Sequence, residues 1–462
     1  MSKHRPSSRI QGFYQLPVHE RRQVMQHHLE LAPEHLKALS PEGGLTLEVA
    51  DKMVENCVGI LGMPVGLGLN FVINGKDRII PMAVEEPSVI AAVSHIARLA
   101  RDGGGFTADA DPPLMIGQVQ VVDLADAEAA RKAVMDNAER VVAAANACAP
   151  RMAARGGGCL RVEARVLKDE PDDHGHTDGG GDMLVVHLII DCREAMGANA
   201  VNEMAEGVAT LVEELTGGRV LLRILSNLAD LRLARAACKI PFTSLEGKGY
   251  EGHEVAQGVV DAWRFARRDP YRAATHNKGI LNGIDAVALA TGNDWRSVEA
   301  GAHAYAARSG RYQSLTRYWV ANDALHGSIE LPMAVGVIGG TTSLHPAVLA
   351  CRTILNIEGA ADLAGIMAAV GLSQNLGALK ALATEGIQRG HMSLHARQVA
   401  LAAGASGNLV DQVARALVSR GHVKLDVAKE ILAELLKASD EDVARGENRK
   451  TALPAQQEAA NG

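Results

Sequence analysis

Between residues 114 and 226 the spacing of apolar residues switches repeatedly between two periods, and that succession limits the available folds more than any other feature. IGQVQVV (116–122) alternates apolar and polar positions and predicts a strand, because successive strand side chains point to opposite faces. AEAARKAVMDNAERVVAAANA (127–147) repeats at helical spacing. LRVEARV (160–166) alternates again, and LVVHLIID (184–191) is an apolar run of strand length. NAVNEMAEGVATLVEEL (199–215) returns to helix, and RVLLRIL (219–225) closes as a strand. The order β-α-β-β-α-β predicts a split ferredoxin-like unit.

The flanks follow other patterns. Residues 17–55 carry helical patterning through Leu29, Leu31, Leu36 and Leu39. SVIAAVSHIARLAR (88–101) reads as a helix behind Pro87, which suits a first turn; Ser88 or Glu86 is placed to satisfy free N–H groups there. PMAVGVIGG (332–340) is strand-like. From Ile387 onward Val410, Val413 and Leu417 share one helical face, and Val427, Ile431, Leu432 and Leu435 another, so the region predicts a small helical module able to act as a lid. After Ser439 the chain is polar and aperiodic, and disorder is expected. The expected fold is α+β: a large mixed helix and sheet domain (1–113 and 227–386), an inserted ferredoxin-like domain (114–226), a C-terminal helical flap (387–438) and a tail (439–462).

Composition narrows the partners. A net charge of -7 over 462 residues, with no basic cluster, argues against nucleic acid or an anionic membrane. MSKHRPSSRIQGFYQL has charges but no apolar run behind them, so no signal peptide is read there. No stretch approaches the ~18 to 20 uncharged apolar residues of a membrane helix, so a soluble cytoplasmic protein is expected. Six cysteines lie far apart with no CxxC pair, which argues against a disulfide framework or zinc knuckle and makes them small core residues.

The chemistry concentrates in DPYRAATHNKGILNGIDAVALATGNDWR (269–296), where Lys278, Asn282 and Asp294 sit among small, apparently buried residues. A buried ammonium needs a partner, and Asp294 is the nearest suitable carboxylate. Such a lysine is either half of a structural ion pair or a fixed cation for an anionic oxygen. No Rossmann fingerprint is present: Gly66-Leu67-Gly68-Leu69-Asn70-Phe71 ends in phenylalanine where the third glycine belongs. If a dinucleotide binds, EAMGAN (194–199) is the candidate, because Gly197 and Ala198 start a helix whose free N–H groups can face an anion. The alternative is a glycine that only permits a tight turn. His391 and His395 have i, i+4 spacing, but no HExxH pattern or third ligand accompanies them, so no metal is expected. The Asp- and His-rich segment 169–182 reads as an exposed loop between two strands.

These segments, together with ENCVG (55–59), PMAVEEPS (81–88) and RGHMSLHAR (389–397), closely resemble class II hydroxymethylglutaryl-CoA (HMG-CoA) reductases of the bacterial, degradative type, in family order from about residue 10 to 437. The resemblance implies interconversion of HMG-CoA with mevalonate and CoA by two hydride transfers. Lys278 would polarise the carbonyl, Asp294 would hold that lysine, Glu86 would act as acid and base for the aldehyde, and His391 would protonate the departing thiolate. Ser88, Asn227, Arg272 and Asn282 would line the substrate pocket, with Arg272 clamping a carboxylate. Glu194, Met196, Gly197, Ala198 and Asn199 would contact the dinucleotide. NAD-dependent relatives carry an Asp before GGGC; here that position is Ala149, with Arg151 and Arg155 nearby, so NADP(H) is admitted while NAD(H) is placed first. A homodimer or assembly of dimers, with the site at the subunit interface, is implied as well. The rival readings are a ligand-sensing protein without turnover and a reductase of another acyl-CoA.

Overall fold

The computed structural model describes residues 7–172, 174–177, 179–247, 249–340, 344–384 and 386–437; the side chains of residues 387–394 lie outside that set. The expected tail falls beyond it. The described residues form an α+β fold with two sheets. The strands are β1 (Val65–Ile73), β2 (Lys76–Ala83), β3 (Phe106–Ala110), β4 (Leu114–Val122), β5 (Gly158–Leu167), β6 (Met183–Asp191), β7 (Arg219–Leu225), β8 (Leu233–Pro241), β9 (Thr316–Ala321) and β10 (Ala324–Pro332).

The smaller sheet has the order β5-β6-β4-β7 with every neighbour antiparallel, as the β-α-β-β-α-β succession requires. Val119, Val121, Leu184, Val186, Leu188 and Ile190 point to one face and bury against Val134, Val141, Val201, Met204 and Val212. The helical stretches are not continuous. Asn137 leaves helical geometry (φ -114°, ψ 19°) and donates its amide to the Ala133 carbonyl, dividing Ala127–Asp136 from Ala138–Cys148. Val208 likewise separates Ala198–Gly207 from Ala209–Thr216.

The larger sheet runs β2-β1-β3-β8-β10-β9. Helices Pro87–Arg101, Gly252–Arg268, Pro270–Ala290 and Ala360–Ala383 supply most of its cover. The 360–383 helix is long and apolar enough to span a membrane, contrary to the expectation that no such stretch exists. Residues 363–376 of it are all buried within the chain, which makes it a core helix. Helix 270–290 lies close against it because a Cβ on Gly283 would stand 3.0 Å from Gln374, and one on Gly371 2.7 Å from Ile284. Strand-like 332–340 is corrected: β10 ends at Pro332, and Met333 and Val335 are apolar because they are buried, with only Ile338 forming an isolated parallel bridge to Ala195.

The described residues form two compact units, one ending at Ala383 and the other beginning at Thr384. In the second, helices Ile387–Ala402 and Asn408–Arg420 and a third over 425–437 enclose Ala396, Ala400, Val413, Leu417, Ala428 and Ile431.

Candidate active site

Pro87 opens helix 87–101 as expected, leaving Glu86 at the cap position, but the Glu86 side chain does not cap. It turns away instead. One oxygen accepts from Ser88 Oγ at 2.7 Å and the other from Asn282 Nδ2 at 3.4 Å. Three residues expected in the site therefore meet, two from the start of one helix and one from the middle of another, 196 positions apart.

Lys278 lies one turn before Asn282 on the same stripe of helix 270–290. The buried ion pair expected for it is not observed. Lys278 is exposed in the single chain, and among the described residues its ammonium makes no hydrogen bond or ion pair. The cause is the pair of residues before it. His276 and Asn277 are both buried: His276 Nε2 bonds Thr316 Oγ1 at 2.7 Å and Ser314 Oγ at 2.8 Å, while Asn277 donates to the Gln313 carbonyl and accepts from Leu315 N–H. With those two locked inward, the next position on a helix must face out. Burial and the neighbouring Arg272 push His276 down to about 3, so its ring stays neutral.

Asp294 is occupied locally. It caps helix Trp295–Ala306, accepting from Arg296 N–H (3.1 Å) and Ser297 N–H (3.3 Å), and pairs with Arg296 Nε at 3.3 Å, all through one oxygen. Asn227 presses its carbonyl against the same helix, where a Cβ on Gly301 would approach it to 2.6 Å; its side chain is exposed. Arg272 is half-buried, and burial lowers its pKa. Among the described residues its guanidinium has no partner. His391 lies on helix 387–402, and its side chain is outside the described set.

Gly197 adopts φ 107° ahead of helix 198–207, and a Cβ there would sit 2.2 Å from Cys192 Sγ, so glycine is required. The first-turn N–H groups, including those of Ala198 and Asn199, are free of intrahelical partners. The Glu194 carboxylate, expected near the dinucleotide, accepts from Ala360 N–H at 2.7 Å at the head of helix 360–383. Ala149 is buried between two helix ends, while Arg151 and Arg155 are exposed and unpaired among the described residues. Among the described residues no group of His, Cys, Asp or Glu could hold a metal.

Asp285 escaped the sequence reading. It shares the Lys278 and Asn282 stripe, and burial, with the charge of Glu299 beside it, pushes its carboxyl up to about 8. The spacing 278, 282, 285 was the available signal.

Comparison with known proteins then bears on this arrangement. A family model described as hydroxymethylglutaryl-coenzyme A reductase matches residues 17–396. A curated 3-hydroxy-3-methylglutaryl-coenzyme A reductase of Archaeoglobus fulgidus is 50% identical over 430 residues, covering 93% of this chain and 95% of the relative. A probable reductase of the same name from Borreliella burgdorferi is 33% identical, over 75% of this chain and 77% of its own. Among solved structures, a 3-hydroxy-3-methylglutaryl-coenzyme A reductase from Streptococcus pneumoniae superposes with a TM-score of 0.77 at 39% identity, covering 92% of this chain and 99% of that one. A class II structure from the same organism, bound to NADPH in open conformations, gives 0.76 at 39% identity over 91% and 100%.

Proposed function

The chain belongs to the hydroxymethylglutaryl-CoA reductase family, in its class II form, and from that membership we propose how its residues divide the work. It is an NAD(P)-dependent oxidoreductase that interconverts HMG-CoA with mevalonate and CoA. The nicotinamide, when bound, supplies or accepts the two hydrides; every other demand falls on the polypeptide.

In the proposed division, Lys278 stabilises the oxyanion that forms at the thioester and again at the aldehyde. Asp294 turns its second oxygen to that lysine, and Glu86 exchanges the proton of the aldehyde step, held in aim by Ser88 and Asn282. Arg272 clamps the substrate carboxylate, Asn227 lines the pocket, and His391 protonates the departing thiolate. Residues 114–226 serve as the dinucleotide domain through Glu194, Met196, Gly197, Ala198 and Asn199; residues 1–113 and 227–386 serve the substrate, and 387–438 the flap. The observation that carries the reading is the meeting of Glu86, Ser88 and Asn282, one turn from Lys278.

A single chain leaves Lys278 open to water, so a second copy is proposed to complete the site. Support comes from residues 54–65, where Val58 is 100% and Leu61 93% exposed in a segment largely without helix or strand. An apolar stretch this bare supports an association surface there. A cytoplasmic setting agrees with this reading. The degradative assignment rests on sequence likeness to NAD-using enzymes, and NADPH enters as a second reading through Ala149 and the exposed Arg151 and Arg155.

The deciding experiment separates the two half-reactions. Lys278→Ala is expected to abolish both HMG-CoA reduction and mevaldehyde reduction, while His391→Ala loses mainly the thioester half. Equal loss of both halves in His391→Ala would remove its assigned role, and mevalonate- and CoA-dependent reduction of NAD tests the degradative direction.

A further inference from the structure

Arg232 lies in the connection between β7 and β8 and is 4% exposed. A guanidinium does not give up its proton in a protein, so this is a buried positive charge. Among the described residues no carboxylate lies within ion-pairing distance of it. Its partners are backbone carbonyls: Nη1 donates to Ala195 and Met196, both at 3.2 Å, and Nη2 donates to Val335. A hydrophobic side chain would fill this space without the desolvation cost of a charge. What arginine adds is a rigid fork that grips two consecutive carbonyls of one loop and a third from a different segment.

The loop so gripped is EAMG, immediately before the first turn of helix 198–207. Residues 336 and 337 hold it as well. Val337 N–H donates to the Glu194 carbonyl at 2.8 Å, and a Cβ on Gly336 would come within 2.3 Å of Met196 N. Gly336 N–H in turn donates to Asn293 Oδ1 at 2.8 Å, next to Asp294. The Glu194 side chain anchors the loop to the head of helix 360–383. A trans peptide points its carbonyl and its N–H in opposite directions. With the Met196 carbonyl turned toward Arg232, the Gly197 N–H turns away from it, toward the side where the free first-turn N–H groups begin.

We infer that Arg232 is a positioning residue for the nicotinamide cofactor: by holding the Ala195 and Met196 carbonyls inward, it presents the Gly197–Asn199 backbone to the dinucleotide. This rests on the reading of residues 194–199 as the dinucleotide loop. Arg232 spends its hydrogen bonds on main-chain carbonyls and acts through the loop it holds, so its loss is expected to act on cofactor binding. A cavity of about 70 Å³ borders Arg232, Glu194 and Asp111, giving a lysine ammonium room to settle but no second prong with which to hold both segments.

The test uses the full chain with Arg232→Lys, Arg232→Met, Gly336→Ala and, as a control on the loop itself, Gly197→Ala. Dissociation constants for NADH and NADPH are read from nucleotide fluorescence, and KM for cofactor and for HMG-CoA from steady-state rates. Arg232→Met is expected to weaken cofactor binding by roughly tenfold or more while the KM for HMG-CoA stays within about twofold, with Arg232→Lys intermediate. Gly336→Ala, pressing a Cβ against Met196 N, should give the same split. If Gly197→Ala binds nucleotide normally, the loop reading fails and takes the inference with it. If Gly197→Ala is impaired but Arg232→Lys and any folded Arg232→Met bind normally, or if both KM values rise together, only the role of Arg232 is overturned.

Discussion

Replacing Asp285 by asparagine should make this protein more stable, by an amount that grows as pH rises from about 4 to about 8. Asp285 has one carboxylate oxygen buried without a partner, and Glu299 stands beside it. Burial first, then the charge of Glu299, raises its carboxyl from an ordinary 3.8 to about 8. The folded state therefore holds a proton that the unfolded chain releases, and stability declines as pH rises through that window. The penalty is absent below about pH 4 and complete above about pH 8. Ionisation against the whole displacement would cost about 6 kcal/mol, at ~1.4 kcal/mol per factor of ten. Partial solvent access and local relaxation reduce the realised penalty to about 2 kcal/mol. Asp285→Asn keeps the shape and discards the charge, so the gain should be about 2 kcal/mol near pH 9 and nothing measurable near pH 4. Urea midpoints at both extremes, for wild type, Asp285→Asn, Glu299→Gln and the double variant, measure it. Glu299→Gln removes only the repulsion and leaves the burial penalty, so it should gain less than Asp285→Asn, and the double should add little to Asp285→Asn. A gain of equal size at both pH values, or a loss at pH 9, would refute the reasoning.

Three further expectations concern other sites. Asp294→Asn preserves the helix cap and Asp294→Ala removes it, at a cost of about 1 kcal/mol, so only the alanine variant should melt earlier while both lose turnover. Full activity in Asp294→Asn would leave Asp294 a cap and nothing more. Burial pushes the thiol of Cys159 up to about 11 and those of Cys192, Cys238 and Cys351 to about 12, so brief maleimide treatment of the native protein at pH 8 should label at most Cys57 and Cys148. Peptide mass spectrometry reads this, and labelled Cys238 in folded protein would contradict it. Finally, kcat/KM with NADH should exceed that with NADPH by less than about tenfold, because Ala149 supplies no carboxylate to repel a 2′-phosphate. A strict preference for either nucleotide would show that other groups decide.

Much of the architecture could be read from periodicity because it concerns which face of an element meets the core. Alternation in 116–122 and the apolar run 184–191 announced β4 and β6, and Pro87 announced its helix start. The interruptions at Asn137 and Val208 were not legible, since each depends on local backbone geometry that barely disturbs apolar spacing. The 332–340 run misled for a related reason: burial beneath a neighbouring loop produces the same hydrophobicity as a strand. At the site, residue identities came from motif wording, but their orientations did not. Lys278 was expected inward because its surroundings are apolar. The polar pair His276 and Asn277 takes the inward positions instead, and only the Thr316, Ser314 and Gln313 contacts reveal this. Arg232 carried no signal in the sequence at all, because its partners are main-chain carbonyls brought together by three separate segments.

Helix 360–383 has almost no water-compatible side, so until it docks it is a liability to the nascent chain. The order of synthesis limits that hazard. The surfaces that receive it, helices 87–101, 252–268 and 270–290 together with strands β3, β8 and β10, all leave the ribosome earlier. The greasy rod thus emerges toward a berth already made, and a circular permutant that moved it to the front of the chain would ask the cell's chaperones to hold it instead.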